Sequence, residues 1–274
     1  MEEVAHHYTV GELGETILAA LSKEGKDLDA LTPEDLAPVD GFHIRGREAT
    51  EELAKLLETG NVERILDVGS GLGGSCRFLA ARFECETVGV DLTEEYCRVA
   101  EMLSDRVGLG RHTKFKQGSA LDLPFPDESF DLVWTEHVQM NIEDKARFYG
   151  ETARVLAPGG RLAFHDIFAG EQSPIHFPVP WAPDASISFL MDPVELRKTL
   201  QQTGLREISW QDTSAISLDW FQAGIARIQT DGPQALGIHL LMGKTAFEKL
   251  KNVIRNLNER RITVIQAVME KPGA

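Results

Sequence analysis

The chain has 274 residues, of which 42% are hydrophobic and 26% charged, a composition that is ordinary for a globular protein. The formal net charge is −15, which argues against nucleic acid or an anionic membrane as the main partner, because phosphate groups require a positive field. Three cysteines without Cys-x-x-Cys spacing argue against both a zinc site and a disulfide framework.

The N-terminus is acidic and lacks the basic region and apolar core of a signal peptide. No stretch approaches the roughly 18 apolar residues of a membrane-spanning helix. With reduced thiols expected as well, these features favour a cytoplasmic protein.

Residues 1–60 are predicted to form an N-terminal helical cap. They contain a helical stretch at 11–22, a polar link with prolines, and a helix at 47–60. In the first of these, apolar side chains recur at helical spacing at Leu13, Ile17, Leu18 and Leu21. We therefore expect residues 1–22 to dock as a lid.

Residues 61–274 are predicted to form one domain in which short apolar strands alternate with amphipathic helices. This alternation implies a parallel sheet with helices on both faces. The predicted strands are 64–69, 86–91, 113–118, 129–136, 160–168, 206–212 and 261–271, and the helices between them include 74–83, 93–109, 143–156 and 192–205.

Two insertions interrupt this pattern. Residues 170–190 are rich in proline and aromatic residues, which predicts a long functional loop. Residues 219–260 look helical, with a break at the sequence TDGPQ.

A glycine-rich turn follows the first strand in the sequence "ILDVGSGLGGSC". Glycines permit a tight turn and a close approach of the backbone to a ligand at the carboxyl edge of the sheet. Taken alone, the turn suits both a dinucleotide such as NAD and S-adenosylmethionine. An acidic residue that ends the second strand, Asp91, also suits the ribose of either cofactor.

Two features favour S-adenosylmethionine. Asp67 precedes the glycines, where a carboxylate disfavours a pyrophosphate and suits a cation. A helix also closes into a Pro-Gly-Gly turn in "ARVLAPGGRLAF", residues 153–164. With "LDVGSGLGG", "VGVDLT" and "GSALDLPFPDESFDLVWTEHV", this set resembles the class I S-adenosylmethionine-dependent methyltransferases, in particular the small-molecule branch that includes sarcosine/dimethylglycine-type enzymes.

The resemblance implies a Rossmann-like, seven-stranded, mostly parallel sheet with an antiparallel last strand, helices on both faces and an N-terminal helical lid. It also implies a cofactor site. Asp67, Gly69, Ser70 and Gly71 would face the amino-acid end of S-adenosylmethionine, Asp91 its ribose, Leu92, Ser119 and Ala120 its adenine, and Glu136 its methionine part, with His43 and Arg45 closing over it. At Ser119 the family usually has an acidic residue, and Asp122 is a candidate substitute.

The implied reaction is an in-line transfer of a methyl group to nitrogen, oxygen or carbon of a small molecule. His137 is the candidate base, since it follows Glu136 at the end of a strand. The candidate substrate-binding residues are Tyr8, Met140, Trp181 and Phe189. No metal ligand set is expected, and homodimer formation stays open.

Two alternatives remain at this point. One is an NAD(P)-dependent oxidoreductase with a Rossmann domain, which the glycine pattern also permits. The other is a methyltransferase-like binding domain without catalytic activity, against which the intact Asp67, Gly69, Gly71 and Asp91 argue.

Overall fold

The computed structural model describes residues 2–57, 62–231 and 235–273. Within these residues the strands are β1 Arg64–Val68, β2 Glu86–Asp91, β3 Thr113–Gln117, β4 Phe130–Glu136, β5 Leu156–Ala169, β6 Arg206–Asp212 and β7 Ile262–Glu270. The α-helices are α1 Glu2–Tyr8, α2 Leu13–Lys23, α3 Pro33–Asp40, α4 Gly46–Lys55, α5 Gly74–Phe83, α6 Glu94–Arg106, α7 Lys145–Val155, α8 Pro193–Gln202, α9 Ser214–Asp231, α10 His239–Met242 and α11 Ala246–Asn258.

The strands form one sheet in the order β3-β2-β1-β4-β5-β7-β6. The first five strands in this order, from β3 to β5, are parallel to one another. Strand β7 is antiparallel to both of its neighbours, β5 and β6. This topology confirms the predicted Rossmann-like sheet with an antiparallel last strand.

Because helices cover both faces of the sheet, the central strands carry apolar side chains on both faces. Leu66 of β1 packs on one side with Phe148 of α7 and Leu196 of α8. Its neighbour Ile65 packs on the other side with Leu53 of α4 and Leu79 of α5.

The fifth strand is longer than predicted. It begins directly after α7 at Leu156, which pairs with Phe130 of β4. The register then shifts before the pairing of Leu132 with Arg161, so the Pro-Gly-Gly segment lies within an irregular strand rather than in a separate turn.

The N-terminal segment divides into two parts with different surroundings. In α2, Leu13, Ile17 and Leu21 are fully buried and pack with Val99 and Leu103 of α6. The carboxylate of Glu95 on α6 also accepts hydrogen bonds from the backbone N–H groups of Val10, Gly11 and Leu13. Helix α2 is therefore part of the core, and α1 alone is placed as a cover.

Helix α3 lies in the segment that was predicted as a polar link with prolines, and the sequence analysis did not predict this helix. Pro33 occupies the first turn of this helix, where the missing N–H costs no hydrogen bond. Thr32 and Asp35 form a capping box in front of it. Pro33 therefore starts a helix here, and Pro38 lies inside it.

The two insertions pack against each other. Trp181 from the loop at 170–190 lies in one apolar cluster with Phe221 of α9 and Val253 of α11. Residues 232–234 in the expected helix break, and the expected domain boundary between 60 and 61, lie outside the described residues. No helix in the described ranges is long and apolar enough to cross a membrane.

Candidate active site

A cavity opens at the carboxyl ends of β1, β2 and β4. Ligands of open α/β sheets bind at this edge, beside the strand where the chain order reverses. The cavity has an empty volume of about 1040 Å³, including the part that is open to solvent. Of the residues predicted from the sequence, it is lined by Tyr8, His43, Asp67, Gly69, Ser70, Gly71, Asp91, Leu92, Ala120, Glu136 and His137.

The glycine turn shapes the floor of this cavity. Gly69 has a φ of 77°, and a Cβ at this position would overlap the side chain of Val138. Gly71 has a φ of 52°, and no atom lies within 4 Å of the place that a Cβ would take. Glycine at position 71 therefore leaves free space for a ligand close to the backbone.

Asp91 is fixed from two sides. Its Oδ2 accepts a 2.9 Å hydrogen bond from the N–H of Gly71, and its Oδ1 accepts a 2.8 Å bond from the N–H of Thr93. Burial raises the pKa of this carboxyl above its ordinary value, although the backbone hydrogen bonds oppose the shift. The arrangement holds Asp91 ready to accept hydrogen bonds from a diol.

Asp67 is buried with little to neutralise it. Its side chain is 2% exposed and accepts a 3.4 Å hydrogen bond from Sγ of Cys76. Burial, together with the nearby carboxylates of Glu136 and Asp91, raises the pKa of Asp67 to about 8. A cationic group in the cavity would relieve both effects.

Glu136 is held by side chains that sequence reasoning did not connect with it. Its carboxylate accepts hydrogen bonds from Oγ1 of Thr50 at 3.0 Å, Oγ of Ser75 at 2.5 Å and Nε1 of Trp134 at 2.9 Å. His43 Nε2 lies 3.5 Å from the same group. Helices α4 and α5 thus fix the carboxylate at the end of β4.

Three histidine rings meet beside this carboxylate. The ring centroids of His43 and His137 are 5.9 Å apart, those of His43 and His165 5.7 Å, and those of His137 and His165 5.0 Å. Burial, and then the neighbouring histidines, hold the pKa of His137 well below its usual value. His137 is therefore neutral at physiological pH, with one ring nitrogen that carries a free electron pair. His165 donates from Nε2 to the carbonyl of Ile44 at 3.0 Å.

A second cavity adjoins the first. Its empty volume is about 460 Å³, again counted with its open part. It is lined by the candidate base His137 and by three of the candidate substrate-binding residues, Tyr8, Met140 and Trp181. Sequence reasoning missed a further group of aromatic residues, since no motif marks the insertion that carries two of them. These residues are Phe42, Trp220 and Phe221.

Other predicted residues do not line either cavity. The guanidinium of Arg45 lies 2.5 Å from Glu52. Oγ of Ser119 accepts a hydrogen bond from the N–H of Leu121. Phe189 uses its backbone to bind Met140 and Lys145.

Asp122, the candidate substitute near the adenine, has a side chain that is 87% exposed and that lies 3.8 Å from Arg147. It does not line the cavity either. Within the described parts of the chain, no group of three or more His, Cys, Asp or Glu side chains has the geometry to hold a metal ion.

Comparisons with known proteins agree with this geometry. A family model described as a methyltransferase domain matches residues 66–164, the part that carries β1 to β5. The chloroplastic tocopherol O-methyltransferase of Arabidopsis thaliana is 37% identical over 121 residues, which cover 42% of this chain and 35% of that protein. The sarcosine/dimethylglycine N-methyltransferase of Halorhodospira halochloris is 28% identical over 189 residues, which cover 69% of this chain and 67% of that protein.

The fold is also found among solved structures. Geranyl diphosphate C-methyltransferase from Streptomyces coelicolor A3(2), in complex with Mg²⁺, geranyl-S-thiolodiphosphate and S-adenosyl-L-homocysteine, superposes with a TM-score of 0.71. The match covers 98% of this chain and 97% of that chain at 16% identity. The chain spans about a third of the length of the first curated relatives that it matches. Residues 66–164 thus match a methyltransferase domain, and the sheet topology and the cavity are similar to those of the class I S-adenosylmethionine-dependent methyltransferases.

Proposed function

We propose that this chain transfers a methyl group from S-adenosylmethionine to a small-molecule acceptor, a reaction of class EC 2.1.1. One observation carries the proposal: a buried, weakly neutralised Asp67 faces a cavity whose glycine turn leaves room for a ligand. A carboxylate so placed suits the ammonium group of the cofactor's amino-acid part. The matched methyltransferase domain supports the same proposal.

The lining residues fit the other parts of the cofactor. Asp91 would accept hydrogen bonds from the ribose hydroxyls, while Leu92 and Ala120 would contact the adenine. Glu136 would lie near the methionine part. Ser119 and Arg45 are left out of this set, because neither side chain reaches the cavity.

When bound, S-adenosylmethionine supplies a methyl group on a sulfonium; its bond to the acceptor forms as the S–C bond breaks, and the electron pair stays on sulfur. The protein's part is then to position the acceptor, to exclude water and to take up a proton. His137, neutral and at the boundary of the two cavities, would accept that proton. Helix α1 would exclude water, since Val4 and Tyr8 line the cofactor cavity.

The alternative of a nicotinamide-dependent oxidoreductase has no support from the comparisons. Its pyrophosphate would also meet the buried Asp67 at the end of β1, which repels a phosphate when ionised and supplies no positive charge to balance it when protonated. We therefore do not retain it.

Thermal unfolding with added ligand tests the proposal. A ligand that binds only the folded state raises the midpoint of unfolding. We expect S-adenosylmethionine and S-adenosylhomocysteine to raise the midpoint, and NADH and NADPH to leave it unchanged. A shift with a nicotinamide cofactor alone would contradict the proposal.

Turnover is tested separately with a panel of amines, phenols and quinols, in which formation of S-adenosylhomocysteine is measured. Formation that depends on one of these acceptors would support the proposal. Binding of the methyl donor without turnover of any acceptor would favour a domain that binds the cofactor and lacks catalysis.

A further inference from the structure

The second cavity carries no formal charge on its walls. Among the described residues that line it, none is Asp, Glu, Lys or Arg. Most of its surface is aliphatic or aromatic, with Met140, Ile167, Trp181, Phe221 and Val253 among the contributors. A ligand in this cavity would contact mainly apolar surface.

The polar atoms of the cavity are concentrated at one end. Tyr8, Phe42, His43 and His137 line both this cavity and the cofactor cavity. Nδ1 of His43 is buried without a hydrogen-bond partner among the described residues. Nε2 of His137 accepts a long 3.5 Å hydrogen bond from the N–H of Ile44. Polar recognition is thus available where the two cavities join.

Three buried charged groups near this cavity are held by hydrogen bonds. The carboxylate of Asp166 accepts hydrogen bonds from the backbone N–H groups of Val138, Gln139 and Ile167. The ammonium of Lys145 binds backbone carbonyls, including that of Phe189.

Lys249 is engaged in the same way. Its ammonium donates to the carbonyl of Met242 at 3.2 Å. None of these groups lines the cavity as a counter-ion for a charged ligand.

We infer that the methyl acceptor is an uncharged, largely apolar molecule with a hydroxyl group that it presents to the histidines. This inference rests on the proposed function. A carboxylate or an ammonium would lose its hydration in this cavity without gaining an ion pair, which is strongly unfavourable. An aliphatic amine is protonated at neutral pH, whereas an alcohol or phenol enters uncharged. We therefore expect zwitterionic amino acids such as sarcosine to be poor acceptors.

Three phenols that differ only in charge at the far end test this inference. They are 4-propylphenol, which is neutral, 3-(4-hydroxyphenyl)propionate, which is an anion, and tyramine, which is a cation. Their binding to the full chain saturated with S-adenosylhomocysteine is measured by calorimetry. We expect 4-propylphenol to bind at least about tenfold more tightly than either charged phenol.

Equal or tighter binding of a charged phenol, or no binding of 4-propylphenol, would overturn the inference. The titration with S-adenosylhomocysteine that precedes the experiment separates the two proposals. If that ligand fails to bind, the proposed function fails. If it binds and the phenols show the wrong order, the acceptor inference alone fails.

A substitution that places a charge in the wall of the second cavity provides a second test of the inference. Leu250 of α11 lines the cavity and is partly buried, whereas Phe247 on the same helix is 82% exposed. In Leu250→Glu we expect the preference for 4-propylphenol over tyramine to fall by at least about tenfold. The matched control Phe247→Glu should keep the wild-type preference. An unchanged preference in a folded Leu250→Glu would contradict the inference. If this variant does not fold, the binding of the three phenols to the wild type alone decides.

Discussion

The hydroxyl of Tyr8 donates a 2.8 Å hydrogen bond to Oδ1 of Asn141, and this bond ties α1 to the turn after β4. The amide nitrogen of Asn141 donates in turn to the carbonyls of Trp181 and Ile187, each at 2.8 Å. One side chain therefore joins the three segments that meet over the two cavities. Tyr8 itself lines both of them.

Removing this hydroxyl tests whether α1 helps to close the site. Tyr8→Phe leaves Oδ1 of Asn141 without its donor, and a hydrogen bond of this kind contributes about 1 kcal/mol. We expect the affinity for S-adenosylhomocysteine to fall about fivefold, measured by calorimetry. Thr9→Ala is the control, because the Thr9 hydroxyl bonds to Ala5 within the same segment. Unchanged affinity in Tyr8→Phe would show that closure does not depend on this contact.

Two truncations separate the lid from the core. A chain that begins at Thr9 loses α1 but keeps the contacts between Glu95 and the start of α2. We expect its circular dichroism to match that of the full chain and its turnover to be lost. A chain that begins at Ser22 also loses the buried Leu13 and Ile17, and we expect it to unfold, because large apolar side chains leave the core. Full turnover of the first truncation would contradict the lid function of α1.

The titration of Asp67 gives a prediction of pH dependence. Burial raises its pKa from 3.8 to about 8 in the folded protein without cofactor. Between these values the folded state keeps a proton that the unfolded chain releases, so this group lowers the free energy of unfolding as the pH rises.

Asp67→Asn, which does not titrate, should therefore be more stable than the wild type above pH 8, where stability is measured by chemical denaturation. The difference should disappear near pH 4. The variant should also bind S-adenosylhomocysteine more weakly, because the ammonium loses its carboxylate. A variant that is less stable than the wild type at pH 8 would contradict the assigned environment.

The proposed role of His137 as a base is tested by a substitution that suits its backbone conformation. Its φ is 53°, a left-handed conformation that asparagine adopts readily. If His137 accepts the acceptor's proton, His137→Asn should lower kcat by about 100-fold or more. The affinity for S-adenosylhomocysteine should change little. His112→Asn, at an exposed position, is the control. A kcat close to that of the wild type would remove His137 from the mechanism.

Much of the proposed cofactor site follows from the sequence because its geometry is local. Asp67, Gly69 and Gly71 lie on a strand, a turn and the approach to a helix, so their relation is set within a few residues. Asp91 ends β2 and Glu136 ends β4, the two strands that flank β1, and the parallel sheet brings these ends to one edge. Here the sequence pattern and the tertiary structure agree.

Other positions depended on tertiary contacts that no pattern encodes. Arg45 is close in sequence to residues that line the cavity, but its guanidinium forms an ion pair with Glu52. Phe189 lies in the loop at 170–190, as the prediction required, but the contacts that hold it there are made by its backbone N–H and carbonyl groups. Trp220 and Phe221 line the second cavity because α9 packs against α11 and β7, and these contacts join parts of the chain that are distant in sequence.

Calorimetric titration of S-adenosylhomocysteine into the wild type and into Asp91→Ala tests most directly whether this cavity binds the methyl donor. Hydrogen bonds to a charged group contribute about 1.5–3 kcal/mol, so we expect the affinity of Asp91→Ala to fall by that amount. Asp122→Ala, at a side chain that is 87% exposed, should bind as the wild type does. Wild-type affinity in a folded Asp91→Ala, or binding of NADH in place of S-adenosylhomocysteine, would contradict the account.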